Sequence, residues 1–288
     1  MNYIKLEDVK SFKFPAGEVQ VDISEYIAYN VSNRAVKLYA RLRSSDDIMK
    51  LLLVNDALRE AGVNDIRLVL PYIPYQQQDR VCAKGEALSI RVFAQLINSM
   101  NFTSVTVYDP HSHVAPALIN NCKIINNHAF ILYVLDKLKH IPRDNIVLVA
   151  PDAGAEKKIF DLAKLTGLKY TVARKVRDVK TGEIVSTHIN ENEIIGKFCI
   201  VVDDICVGGR TFIELAKRMK DVAEEFILAV SHGVFSKGID SLWESGYTRI
   251  FTTNSYNQGD PEHTRCYVTC LNFAITNTFH IYSIHNEV

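Results

Sequence analysis

From Asp47 to Gly62 the chain places Ile48, Leu51, Leu52, Val54, Ala57 and Leu58 three and four residues apart, with polar residues between them. That spacing lines one face of a helix, and Gly62 supplies its stop. The run Ile66-Arg67-Leu68-Val69-Leu70 follows, with the length and apolar density of a buried strand. The same cycle then repeats. Helices are predicted at Ala87–Met100, Ala129–Lys139, Ala155–Gly167 and Thr211–Lys220. Strands are predicted at Ser104–Tyr108, Ile146–Ala150, Lys169–Val172, Phe198–Val202 and Glu225–Val230. Strands interleaved with helices of this length predict an α/β fold with mostly parallel sheets flanked by helices. The asparagine-rich stretch Asn120–Asn127 is the candidate hinge, separating an N-terminal domain, 1–127, from a C-terminal domain, 128–288.

Composition narrows the function classes. In 288 residues, 33 Lys and Arg balance 33 Asp and Glu, so no global field favours a nucleic acid or an anionic membrane. Anionic ligands must be met by local charges. The longest apolar stretches are strand-length, and Met1-Asn2-Tyr3-Ile4-Lys5-Leu6 lacks a signal-peptide pattern, which predicts a soluble, cytoplasmic protein. Six scattered cysteines read as reduced thiols rather than a disulfide framework. Cys266-x3-Cys270 lacks a second pair at zinc spacing and reads as core.

The densest chemistry lies in Ile200-Val201-Val202-Asp203-Asp204-Ile205-Cys206-Val207-Gly208-Gly209-Arg210-Thr211. A β-branched run ends in two carboxylates, passes a glycine pair and meets a Thr that opens a helix. Gly208 and Gly209 allow close backbone approach, and the helix start offers N–H groups and a positive dipole end to a phosphate. Asp203 and Asp204 stand where open α/β sheets bind ligands and suit sugar hydroxyls or metal-bound water. The competing reading is a strand, a turn and a Thr N-cap with two solvated acids.

Four further segments add polar groups. Pro71–Arg80 carries Gln78, Asp79 and Arg80, suited to a nucleotide or phosphate, or else forms a solvated loop. Asp109-Pro110-His111-Ser112-His113 offers His111 to a metal or phosphate, or holds a structural histidine. Asp152 in Pro151-Asp152-Ala153-Gly154 suits a metal ion beside a small-residue phosphate nest, or is an N-cap. In Arg174-Lys175-Val176-Arg177-Asp178, Lys175 and Arg177 project to one side of an extended chain and suit charge developing on transferring phosphates, or form a basic turn. Together these segments predict an enzyme acting on polyphosphate and sugar phosphate with Mg2+.

These residues resemble the ribose-phosphate pyrophosphokinase (phosphoribosyl pyrophosphate synthetase) family, in order along nearly the whole chain. Phe14-Pro15-Ala16-Gly17-Glu18 resembles the F-x-D-G-E ATP loop, and Pro71-Tyr72-x-x-Tyr75-x-x-Gln78-Asp79-Arg80 resembles P-Y-x-x-Y-x-R-Q-D-R. Asp109-x-His111-Ser112 is similar to D-L-H-S, and Pro151-Asp152-x-Gly154 to the pyrophosphate loop. Lys175-Val176-Arg177 resembles the K-R-R catalytic loop, Val202-Asp203-Asp204 begins the ribose-phosphate loop, and Ser231-His232-x-x-Phe235-Ser236 is similar to T-H-x-x-F-S. The resemblance implies two phosphoribosyltransferase-like domains and transfer of the β,γ-diphosphoryl group of ATP to ribose 5-phosphate, releasing AMP. It implies Mg2+ on His111 and Asp152, with Lys175 and Arg177 catalytic. ATP would meet Phe14, Glu18, Gln78, Asp79, Arg80 and His111. Asp152, Asp203, Asp204, Gly208, Gly209, Arg210 and Thr211 would bind the acceptor. It further implies a homo-oligomer, dimer or hexamer, with Phe14 and Glu18 reaching adenine on a neighbouring subunit.

The chain departs from the pattern where the acceptor's phosphate would sit. Val207 stands for an Asp, Gly208 for a Thr and Arg210 for a Gly. An added cation, a lost anion and extra space point to a larger or more anionic group on C5, with ADP-ribose as the alternative acceptor in NAD salvage. Ala16 and Gln77 also depart on the donor side. A phosphoribosyltransferase would not need Phe14–Glu18, Gln78–Arg80 or His111. An inactive regulatory partner would have lost Lys175, Arg177, His111 and Asp152, which all stand.

Overall fold

The computed structural model describes residues 2–30, 35–177, 184–257, 266–272 and 280–283. They form two compact units that divide between Asn126 and Asn127, with Asn272 grouped with the first. The division falls inside the asparagine-rich stretch.

The first unit opens with β1 (Asn2–Lys5), an antiparallel hairpin of β2 (Lys10–Lys13) and β3 (Val19–Asp22), and α1 (Ser24–Asn30). β4 (Ala35–Tyr39), α2 (Ser45–Glu60), β5 (Asp65–Leu70) and α3 (Ser89–Ser99) follow, then β6 (Ser104–Tyr108), α4 (Val114–Leu118) and β7 (Cys122–Ile125). Among the described residues, β1-β4-β5-β6-β7 make one sheet in that order, with every neighbouring pair parallel. Ile66, Leu68 and Leu70 of β5 share a core with Leu51, Val54 and Leu58 of α2 and Ile90, Phe93 and Ile97 of α3. Helix α2 starts two residues before the expected Asp47. Ser44 accepts the Asp47 N–H at 3.2 Å, and the Asp47 carboxylate accepts the Ser44 N–H at 2.9 Å. This reciprocal cap satisfies helix-end donors that hydrophobic spacing does not register.

The second unit contains α5 (His128–Lys137), β8 (Ile146–Ala150), α6 (Glu156–Thr166) and β9 (Lys169–Val172). Next come β10 (Arg174–Arg177), β11 (Ile184–His188), α7 (Glu191–Ile194), β12 (Phe198–Cys206) and α8 (Arg210–Met219). β13 (Glu225–Gly233), α9 (Asp240–Glu244), β14 (Ile250–Thr253), β15 (Cys266–Asn272) and β16 (His280–Ser283) complete it. The described strands form a seven-stranded sheet ordered β16-β15-β14-β13-β12-β8-β9 and a separate β10-β11 pair. Alternate residues of β12 face opposite layers. Phe198, Ile200 and Val202 pack with α5 and α6, while Cys199 and Val201 pack with Phe212 and Leu215 of α8. The result is a three-layer sandwich with a sheet buried on both faces.

Two strands outrun their expected ends. β12 continues from Val202 to Cys206 and β13 from Val230 to Gly233, because pairing persists: Asp203 lies opposite Val230, Ile205 opposite His232 and Cys206 opposite Gly233. Backbone partners remain available after the apolar pattern stops, so both carboxylates stand within the strand.

Candidate functional site

From β8 the chain passes through α6 to β9 on one side, while β12 pairs with the other side of β8. Strand order therefore switches between β8 and β12, and such a point leaves a crevice at the carboxyl strand ends. Asp152 follows β8, and Asp203 and Asp204 lie near the carboxyl end of β12, ahead of Ile205 and Cys206. Asp152 accepts the Gly154 N–H at 3.0 Å and caps the turn into α6, so it fills the N-cap role while standing at the crevice. Asp203 is partly exposed and Asp204 buried. Burial first, then the Asp204 carboxylate and the charge of Asp152, push Asp203 well above the usual carboxylate range. The Asp204 N–H, donating to Asp203 Oδ1 at 2.9 Å, works the other way. Lys158 Nζ lies 3.8 Å from Asp204 Oδ1. Three carboxylates with one ammonium suit sugar hydroxyls and a divalent cation.

Beyond β12 the chain turns through Val207, Gly208 and Gly209. Thr211 does not open the next helix. Gly209, at φ +76°, is the N-cap, and its carbonyl accepts the N–H groups of Phe212 and Ile213, each at 3.0 Å. A left-handed φ favours glycine at the cap over Thr, so the helix begins at Arg210. The loop after β13 straps this turn down. The N–H groups of Val234 and Phe235 donate to the Cys206 carbonyl at 3.0 and 3.1 Å, and that of Ser236 to Val207 at 2.8 Å. The Lys237 stem lies against Gly208, 3.8 Å from where a β-carbon would stand. Arg210 and Lys237 are exposed and form no ion pair among the described residues. His232 is fully buried with Nδ1 2.7 Å from Ser255 Oγ, a structural placement that anchors β13 beneath the strap.

In the first unit, Phe14–Glu18 forms the exposed tip of the β2–β3 hairpin. It is closed by bonds from the Phe14 N–H to the Glu18 carbonyl and from the Gly17 N–H to the Phe14 carbonyl, both 2.8 Å. Phe12 and Phe14 meet edge to face at 5.2 Å. Gln78 and Arg80 are exposed and Asp79 half-buried in the segment after β5. His111 and His113 are exposed after β6. Pro71–Arg80 is not a merely solvated loop, because Pro71, Ile73 and Gln76 are buried. Gln76 Oε1 accepts the His111 N–H at 2.9 Å and so ties the two strand-end segments together.

Sequence reasoning assigned nothing to Gln76, Lys158, Ser236 or Lys237. Ser236 stands on the last position of the T-H-x-x-F-S pattern, and the sequence signal for the other three is proximity to motifs that do not specify their positions. Lys175 and Arg177 lie on β10, whose antiparallel pairing with β11 shifts register between Val176 and Arg177. Only their backbone is described, and Asp178 lies outside the described residues. Cys266 is partly buried against the core of the second unit, and burial pushes its thiol up to about 12. A separate cleft of about 340 Å3 beside β1 and α1, lined by Lys5, Asp8, Lys10, Asp22 and Tyr26, shares no residue with the strand-end segments.

Asp152, Asp203 and Asp204 supply carboxylate oxygens, the donor type Mg2+ takes. That ion needs only one or two carboxylates beside water and substrate phosphates. No cage of three or more His, Cys, Asp or Glu side chains exists among the described residues. The donor set therefore fits an ion shared with a phosphorylated ligand. No helix among the described residues is long and apolar enough to cross a membrane.

Residues 2–100 match the family described as the N-terminal domain of ribose phosphate pyrophosphokinase, and residues 120–265 match the phosphoribosyl transferase domain. The chain is similar to the ribose-phosphate pyrophosphokinase of Thermococcus kodakarensis, at 30% identity over 254 residues spanning 87% of this chain and 86% of that one. The same enzyme of Pyrococcus furiosus is 29% identical over 256 residues, covering 87% and 86%. The crystal structure of phosphoribosylpyrophosphate synthetase from Mycobacterium smegmatis shares the fold with a TM-score of 0.79. Its 21% identity covers 94% of this chain and 95% of that one.

Proposed function

The chain belongs to the ribose-phosphate pyrophosphokinase family, and we propose that it moves the β,γ-diphosphoryl group of ATP to the 1-hydroxyl of ribose 5-phosphate, yielding phosphoribosyl pyrophosphate and AMP. The observation carrying this reading is the gathering of Asp152, Asp203 and Asp204 at the β8–β12 switch point, ahead of the Gly208–Gly209 turn. In the reaction the 1-hydroxyl oxygen loses its proton and bonds to the β-phosphorus. The bond from that phosphorus to the α,β-bridging oxygen breaks, and AMP leaves. Positioning and charge neutralisation carry most of such a displacement.

Asp203 and Asp204 hold the sugar hydroxyls, while the Gly208–Thr211 turn takes the 5-phosphate. Lys175 and Arg177 neutralise charge developing on the transferred group. Phe14, Glu18, Gln78, Asp79, Arg80 and His111 meet ATP, and Asp152 would supply a carboxylate oxygen to Mg2+. When bound, that ion neutralises polyphosphate charge. The exposed Phe12–Phe14 pair supports a homo-oligomer in which the hairpin covers adenine on a neighbouring subunit. The test is AMP release from ATP, Mg2+ and ribose 5-phosphate. Lys175→Ala is expected to lower turnover roughly a hundredfold or more with an unchanged melting temperature. A variant of undiminished turnover would remove the assigned role.

A second acceptor is favoured by one observation. Lys237 and Arg210 flank Gly208 without ion-pair partners among the described residues, and Val207 places an apolar side chain on the same turn. Two cations there suit a second phosphate on C5, and ADP-ribose, giving ADP-ribose 1-pyrophosphate, carries one. The two acceptors are compared in parallel. Turnover mainly with ADP-ribose, selectively lost in Lys237→Ala, supports this reading, and turnover with ribose 5-phosphate alone rejects it.

A further inference from the structure

We propose that Gln76 is a positioning residue for ATP, holding His111 in register with Gln78, Asp79 and Arg80. The inference rests on the ATP side of the function proposed above. Gln76 is completely buried between exposed neighbours, Tyr75 and Gln77. Its Oε1 reaches 35 positions along the chain to accept the His111 N–H at 2.9 Å. Its Nε2 is buried and has no hydrogen-bond partner among the described residues. A side chain serving packing alone would be apolar, since an unmet buried donor works against folding.

The backbone around this contact is strained on both sides. Tyr75, just before Gln76, has φ +62°, and Asp109, two residues before His111, has φ +36°. Side-chain-bearing residues hold left-handed conformations where surrounding contacts over-determine them, and such strain gathers at ligand clamps. The Asp109 N–H is itself fixed, donating to the Ile125 carbonyl at 2.8 Å. An unmet donor and two strained residues therefore meet at one hydrogen bond, and that bond joins the two segments assigned to ATP.

The test replaces Gln76 with Leu, which keeps the size and removes both polar atoms, and with Glu, which keeps an acceptor facing His111. Gln76→Leu is expected to melt at the native temperature or above it. It should exchange backbone hydrogens at residues 109–113 at least about tenfold faster, and raise KM for ATP about tenfold, the worth of one hydrogen bond. KM for ribose 5-phosphate should stay within about twofold, because the change is confined to the ATP segments. Gln76→Glu is expected to recover most of the exchange protection and ATP affinity.

Unchanged exchange and unchanged KM for ATP in Gln76→Leu would overturn the proposal. So would a fall in melting temperature with equal losses toward both substrates, which marks a merely structural residue. If the native chain releases no AMP, the proposed reaction fails. Hydrogen exchange and calorimetric ATP binding then still decide the role of Gln76.

Discussion

Asp203 shows how much of the chemistry is set by a residue's surroundings. Burial, Asp204 and Asp152 together hold its carboxyl well above the ordinary value of 3.8. A group that binds its proton more tightly folded than unfolded supports the fold below its unfolded value, and that support is lost as pH rises through the folded value. At neutral pH the folded chain either takes up a proton there or holds a charge that its surroundings disfavour, and both work against folding. Asp203→Asn is therefore expected to raise the melting temperature at pH 7 to 8 by roughly 2–4 °C, with the gain fading toward pH 4, while turnover falls. Thermal scans across that range check it, and a variant melting below the native chain at pH 8 would count against the assigned environment. Cation binding favours the ionised form, so apparent Mg2+ affinity should strengthen as pH rises.

At the scale of elements, the turn between β12 and α8 separates two adjacent glycines by their roles. Gly209 combines φ +76° with a β-carbon position 3.3 Å from Leu242 Cδ2, whereas Gly208 has neither a left-handed φ nor a contact nearer than 3.8 Å. Gly209→Ala is expected to cost about 1–2 kcal/mol through its left-handed backbone, and Gly208→Ala no more than about 0.5 kcal/mol. Denaturant midpoints of the two variants make the comparison, and equal losses would contradict it. Any loss of acceptor affinity in Gly208→Ala would then be an effect on the ligand. The strap from Val234 to Ser236 shows why an element's sequence is an incomplete account of its shape, because the carbonyls its N–H groups engage belong to Cys206 at the end of β12 and to Val207.

The whole molecule is electrically balanced, with 33 cationic and 33 anionic side chains. Attraction for anionic substrates must therefore come from local arrangements such as Arg210 and Lys237, whose reach is about 8 Å at physiological ionic strength. The chain is expected to pass unretained through heparin at roughly 0.15 M salt. Retention well above that concentration would reveal an extended basic surface. Both units repeat one plan, a largely parallel sheet whose carboxyl strand ends carry the polar segments.

The sequence by itself determined what depends on near neighbours. Periods of three to four and runs of apolar residues placed β6, β8 and β9 with their bounds unchanged and set the α/β class. The order of the strand-end motifs pointed to the family. It did not place the ends of β12 and β13 or the start of α8, because these depend on pairing partners and a left-handed cap rather than on hydrophobicity. Nor did it show that Asp152 would lie close enough to Asp203 to shift its proton, or that Gln76 would reach His111. Those contacts follow from which strand lies beside which, and the crossovers decide that order. Apolar spacing specifies a face to bury; only the packed sheet decides what stands next to it.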